Sequence, residues 1–252
     1  PLAGTLQDDF HEARLMHIAL DATRNVGRLP WGLELPLAPF FGIMGVAPPP
    51  AWGRITSIVP RAHGGNLDNK ELVAGTTLFL PCFVDGCLLS IGDVHFAQGD
   101  GEVSGTAIEM DATVTVKVQV RKGLGAQVTQ PQFEGGRQLK RLAPRKFHAT
   151  VGYPLKPAGV VPPTHAYLNG TKIGPLTNLS EDVTLAARDA LLQMIDWLVR
   201  NKGLTRQQAY ALSSVAVDLR ISNLVDTPNV AVSAILDLGV FDRGRGHPDD
   251  DD

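Results

Sequence analysis

Polar and apolar residues alternate most regularly between Thr113 and Val120. Val114, Val116, Val118 and Val120 fall on one face, and Thr113, Thr115, Lys117 and Gln119 on the other. A period of two is the mark of a β-strand, so this stretch predicts a half-buried strand. Val215, Val217, Leu219 and Ile221 repeat the pattern, as do Val230, Val232, Ala234, Leu236 and Leu238, and predict two more strands near the end of the chain. The apolar or β-branched runs Thr76 to Val84 and Cys87 to Ile91 flank Asp85-Gly86, which predicts an antiparallel hairpin with Cys82 and Cys87 as small core residues.

One stretch carries the longer helical period instead. Val183, Ala187, Ala190, Met194 and Leu198 form a stripe that starts after Ser180 as N-cap, with Glu181 and Asp182 at the positive helix end, and stops at Gly203. This predicts a helix over about 181–202. Thr205 to Gln208 reads as a capping box and predicts a short helix over 205–213. With 26 Gly and 18 Pro favouring many turns, the expected fold is mainly β (α+β): β-sandwich or jelly-roll-like sheets with a helical pair near the C-terminus.

Proline divides the chain further. Pro30, Pro36, Pro39, Pro48, Pro49, Pro50 and Pro60 lie among Trp31, Phe40, Phe41, Ile43, Met44 and Trp52, so residues 1–60 are expected to end in an ordered wrap over the core rather than inside a sheet. Residues 61–120 form a β-rich core bearing the acidic motifs, and 121–245 a second β-rich part, loosely patterned up to Thr177. Residues 246–252, ending in four aspartates, are expected to form a disordered tail.

The chain has 252 residues, and 26 acidic against 23 basic side chains leave a net charge of −3. That balance lacks the basic excess of a nucleic-acid binder. No apolar run reaches the ~20 residues of a membrane span, and two cysteines make no disulfide framework. A cytoplasmic protein is expected, contacting neither nucleic acid nor membrane. The start at Pro1, with no signal-like core, suggests a processed or trimmed product.

Chemistry concentrates between His63 and Glu109. His63-Gly64-Gly65-Asn66-Leu67-Asp68 brings polar groups to a backbone that a ligand can approach closely. Asp93 and His95, two residues apart on a strand, point to one face and suit a metal such as zinc. Asp68 is the candidate third ligand, and His63 a fourth or an outer partner. A salt-bridged surface pair is the bland alternative for Asp93 and His95.

Gln98-Gly99-Asp100-Gly101-Glu102 is an acidic turn able to present a general base, here Glu102, and it also has the oxygen-rich look of a calcium loop. Glu109 follows the apolar stretch from Val103 to Ile108 and needs a partner or metal. Asn66 is a candidate donor to a developing oxyanion, or equally a turn former. The phosphate-binding, dinucleotide-binding and serine-nucleophile motifs are missing, which leaves metal-assisted hydrolysis.

Taken in order, His63 to Asp68, Leu78-Phe79-Leu80-Pro81, Gly92-Asp93-Val94-His95, Gln98 to Glu102 and Ala107-Ile108-Glu109 resemble the acetamidase/formamidase family. Pro39 to Gly45 and Leu219 to Asp226 extend the resemblance over most of the chain. It implies a metal-dependent hydrolase of small amides, β-rich and homo-oligomeric, yielding a carboxylate and ammonia; some members act on cyclic amides as γ-lactamases. Carried over by motif, Asn66, Asp68, Asp93, His95, Gln98, Asp100, Glu102 and Glu109 are the site candidates. Their chemistry assigns the roles: Asp68, Asp93, His95 and, behind them, His63 as expected metal ligands, Glu102 and Asn66 as the catalytic pair, and Gln98, Asp100 and Glu109 as substrate contacts.

Zinc is the expected ion, with calcium as an alternative. Trp31, Phe40 and Phe41 are candidate pocket walls. The family has a further N-terminal β-rich portion, so that portion is expected to have been removed or to come from another chain. A β-sandwich binding module holding a structural metal is the reading from a different functional class.

Overall fold

A computed structural model describes residues 4–136, 144, 146–155, 180–224 and 230–242. It is mainly β, with antiparallel pairing in four sheets and two helices near the C-terminus. The expected tail at 246–252 lies outside the described residues. The chain divides into two compact units: Pro1–Met16, Gly99–Thr106 and Pro144–Asp252 in one, and His17–Gln98 and Ala107–Ala143 in the other.

Among the described residues the second unit holds nine short strands. β1 (Ala19–Asp21), β2 (Val26–Arg28) and β3 (Glu34–Pro36) form a meander. β4 (Phe40–Gly45), β5 (Gly64–Asn66), β7 (Ser90–His95) and β8 (Glu109–Met110) form a sheet in the order β5-β4-β7-β8. β6 (Thr77–Phe79) pairs with β9 (Gln132–Glu134).

Three expectations are corrected here. The proline-rich stretch is not only a wrap, because β3 and the interior strand β4 lie within it. Pro36 ends β3, and the proline-free run from Phe40 to Ala47 is long enough to supply ladder donors on both sides.

The hairpin around Asp85-Gly86 does not form either. β6 pairs with β9 and β7 with β4 and β8, while Gly86, Cys87 and Leu88 all take positive φ, of 76°, 54° and 57°. That local reversal brings Cys82 and Cys87 to a Cα separation of 5.0 Å, and they form a disulfide rather than serving as core thiols. Finally, Asp111 to Arg121 is exposed throughout and joins no strand among the described residues, despite its alternation.

A buried carboxylate holds the meander together. Glu34 is 2% exposed and accepts hydrogen bonds from Arg24 Nη1 and Nη2 at 2.9 and 2.7 Å and from Arg28 Nε and Nη2 at 3.1 and 2.6 Å. The β2–β3 register sets Arg28 opposite Glu34. The two guanidinium groups, Arg24 first, hold the Glu34 carboxyl down at about 2.

In the first unit, α1 (Val183–Lys202) lies on a sheet ordered β10 (Phe147–Gly152), β12 (Ala231–Asp237), β11 (Val217–Asn223). Asp182, not Ser180, is the N-cap of α1, its side chain accepting from the amides of Thr184 and Leu185; Ser180 Oγ instead accepts from the amide of Asp182. Gly203 ends the helix in the left-handed region as expected. Ala186, Ala190, Leu191, Met194, Ile195 and Leu198 are the buried face.

α2 (Arg206–Ala216) starts with the Thr205/Gln208 capping box and runs on past residue 213. Tyr210 on α2 donates to the Val103 carbonyl at 2.6 Å and accepts from the Leu6 amide at 3.2 Å, which stitches the distant chain pieces of this unit together.

Two outcomes follow. A Cβ on Gly152 would meet the Ala190 amide nitrogen at 2.1 Å and the Ala186 carbonyl at 2.2 Å, both rigid helix backbone. Gly152→Ala is expected to cost about 1–3 kcal/mol or more, read as a lower urea midpoint at unchanged slope. Because folding depresses the Glu34 carboxyl, its contribution is complete above about 4.5 and is lost as pH falls toward about 2. Acid titration of Glu34→Gln should lack that share of the wild-type loss; identical acid profiles would refute the role.

Candidate active site

Strand pairing brings the polar cluster together. Register sets Phe41 opposite Val94 and Ile43 opposite Gly92, so Gly42 lies across from Asp93. The Gly42 carbonyl also accepts the amides of Leu67 and Asp68, at 2.8 and 3.2 Å, and so pins the loop after β5 to β4, the strand that pairs with β7. Asp68 and Asp93 take φ of 45° and 57°, a region that non-glycine residues enter at a cost and that often marks a functional site.

His95, 1% exposed, is the centre of the group. Its Nδ1 lies 2.7 Å from Gln98 Oε1, while Gln98 Nε2 donates to the Asp68 carbonyl at 2.6 Å. Because Gln98 uses its amide group as donor toward Asp68, its oxygen is the acceptor toward His95, which assigns the Nδ1 proton. Nε2 is thereby turned toward carboxylates, with Asp93 Oδ1 and Glu109 Oε2 each 3.3 Å away. These two contacts are ion pairs without hydrogen-bond alignment.

Burial opposes charge on the imidazole, but Glu109, Gln98 and Asp93 override it and push the pKa up to about 9. Phe40, the cross-strand partner of His95, packs edge-on to the ring at a centroid distance of 5.1 Å.

Asp68, Asp93 and His95 offer ligand atoms that all lie within 4.8 Å of one another. The floor beneath them is Gly42, where a Cβ would come within 2.6 Å of Asp68 Oδ1, 2.8 Å of Asp93 Oδ2 and 3.0 Å of His95 Cε1. A space closed by one methyl, lined by two carboxylates and an imidazole nitrogen whose other nitrogen is already committed, fits a divalent cation.

The remaining sequence candidates divide. Asn66 Nδ2 donates to Asp68 Oδ2 at 2.5 Å, so it orients the carboxylate. Glu109, expected as a substrate contact, joins the His95 group and also accepts the Ala107 amide at 3.0 Å through Oε1. His63 is buried outside the three-residue group, edge-on to Trp52, and burial, then Arg61, lowers its pKa.

Asp100 and Glu102 belong to the other unit. There the Asp100 amide donates to Asp218 Oδ1 at 3.2 Å, and Glu102 sits at φ 42° in the turn that its carbonyl closes with the Gly105 amide. Sequence reading missed Gly42, although a glycine inside the run Phe40 to Gly45 is itself the signal of a close approach.

Residues 51–243 match the model of the acetamidase/formamidase family. A formamidase from Methylophilus methylotrophus is 31% identical over 192 residues, covering 74% of this chain and 42% of that protein. An acetamidase from Mycolicibacterium smegmatis is 34% identical over 161 residues, 62% of this chain and 35% of that protein. The chain thus spans about two fifths of the length of the curated relatives it matches. A solved gamma lactamase from Delftia acidovorans superposes with a TM-score of 0.79 at 26% identity, covering 95% of this chain and 66% of that chain.

Gly42→Ala is expected to abolish divalent-cation binding measured by titration calorimetry while circular dichroism stays that of wild type. Undiminished binding would show that the cation does not sit over Gly42.

Proposed function

The chain belongs to the acetamidase/formamidase family, and from that premise we propose that it carries the metal centre of an amide hydrolase acting on small amides. The observation that carries this reading is the pocket over Gly42, where Asp68, Asp93 and His95 converge. These three residues would hold the ion. A mixed nitrogen and oxygen set favours zinc over calcium, which takes oxygen ligands. When bound, such an ion polarises an amide carbonyl and acidifies water.

The chain's own residues supply the rest. Gln98 fixes the His95 tautomer and anchors the Asp68 backbone, while Asn66 holds the Asp68 carboxylate in place. Glu109, whose Oε2 lies 3.3 Å from His95 Nε2, takes a proton from the attacking water and returns it to the departing nitrogen. Cleavage of the C–N bond of a linear amide then gives a carboxylate and ammonia. Glu102, expected for this proton transfer from the sequence, is the alternative base.

A second reading rests on the likeness to the gamma lactamase. With a cyclic amide the same C–N cleavage leaves the amine on the product, so no ammonia is released.

The test is hydrolysis of formamide, acetamide, propionamide and a γ-lactam, following ammonia and new primary amine separately, before and after chelation and zinc return. Zinc-restored ammonia release supports the linear-amide reading, and zinc-restored amine without ammonia the lactam reading. Neither product, with the metal bound, refutes hydrolysis and favours a binding module. Glu109→Gln should lower kcat roughly 10²–10⁴-fold; a loss of that size in Glu102→Gln alone would move the base to Glu102.

A further inference from the structure

The alternating segment from Asp111 to Arg121 continues directly from the edge strand β8, without turn or bend, and every residue in it is exposed. Val114, Val116, Val118 and Val120 are 39%, 44%, 66% and 74% exposed. Among the described residues its backbone groups make no hydrogen bond. An unpaired ladder edge with a row of exposed valines is a template for another strand.

We propose that the occupant is a second copy of the same segment, paired antiparallel about a two-fold axis through Val116. The sequence is nearly self-complementary about that point. Asp111 falls opposite Arg121, Ala112 opposite Val120, Thr113 opposite Gln119, Val114 opposite Val118 and Thr115 opposite Lys117. Valines thus meet apolar residues on one face, polar residues meet on the other, and the two-fold axis generates two Asp–Arg pairs. Arg121 already lies over the Phe79 ring at 5.2 Å, which leaves the edge of the guanidinium open to a carboxylate.

Neighbouring registers fit worse. A slip of one residue in the pairing sets valines against polar residues. Centring on Lys117 sets that lysine against its own copy and removes both ion pairs. Centring on Thr115 pairs Arg121 with Glu109, which His95 and the Ala107 amide already engage.

The test is sedimentation equilibrium of the full chain over a range of concentrations, with charge reversal and cysteine cross-linking. A dimer is expected. Asp111→Arg and Arg121→Asp should each weaken it about tenfold, and the double exchange should restore it. Under mild oxidation Val116→Cys should form a covalent dimer, since directly opposed strand residues have Cα separations within disulfide reach. Thr115→Cys and Lys117→Cys should not.

These positions are exposed, so circular dichroism should be unchanged in every variant. The proposal is overturned by a monomer at all concentrations, by a dimer indifferent to the single reversals, by cross-linking through Cys at 115 or 117 in preference to 116, or by the segment pairing with a different protein strand.

Discussion

Carboxylates repel one another, and this unit places Asp68, Asp93 and Glu109 around a single imidazole. Two like charges about 4 Å apart cost about 4 kcal/mol at the effective dielectric near a protein surface. Such an arrangement persists only if positive charge sits among them. The protein meets the constraint by burying His95 at the focus and tying its far nitrogen to Gln98, so that Nε2 must face the acids. Against burial, Glu109, Gln98 and Asp93 raise the imidazole pKa to about 9, so the nitrogen there either holds a proton or serves a cation that takes the proton's place. Gly42 enters the same account, since only a residue without Cβ leaves room beneath the charges.

Much of this was legible one residue at a time. The Asp93 and His95 spacing put both on one face, and the helices near the C-terminus announced themselves through Gly203 and the Thr205/Gln208 box. What the sequence did not reveal depended on pairing between distant segments. The packing of Gln98 against Asp68, thirty residues away, depends on the Gly42 carbonyl holding the Asp68 loop to β4, which no local pattern encodes. Likewise the run from Thr76 to Ile91 has hairpin composition, yet three consecutive residues of positive φ turn it into a disulfide-closed loop.

Alternation misled in a more instructive way. A period of two says that one face of an extended segment seeks cover, but it carries no information about which chain supplies the cover. In β11 and β12 the partner is near in sequence and the ladder closes within the unit. In Asp111 to Arg121 the same pattern occurs without a partner in the described structure. The expected half-buried strand over Thr113 to Val120 is instead exposed and joins no sheet among the described residues.

That segment and the charged pocket meet at β8. Glu109 pairs with His95 across the β7–β8 ladder, and Asp111 lies only two residues further on. A two-residue strand at a sheet edge is weakly held, because few ladder bonds oppose fraying. Anything that straightens and pairs the chain beyond Met110 therefore also restrains the backbone carrying Glu109. The carboxylate least buried at the pocket, 44% exposed against 31% for Asp93, is the one whose position rests on that edge. Association along the valine segment and the geometry around His95 are thus linked through the same few residues of backbone.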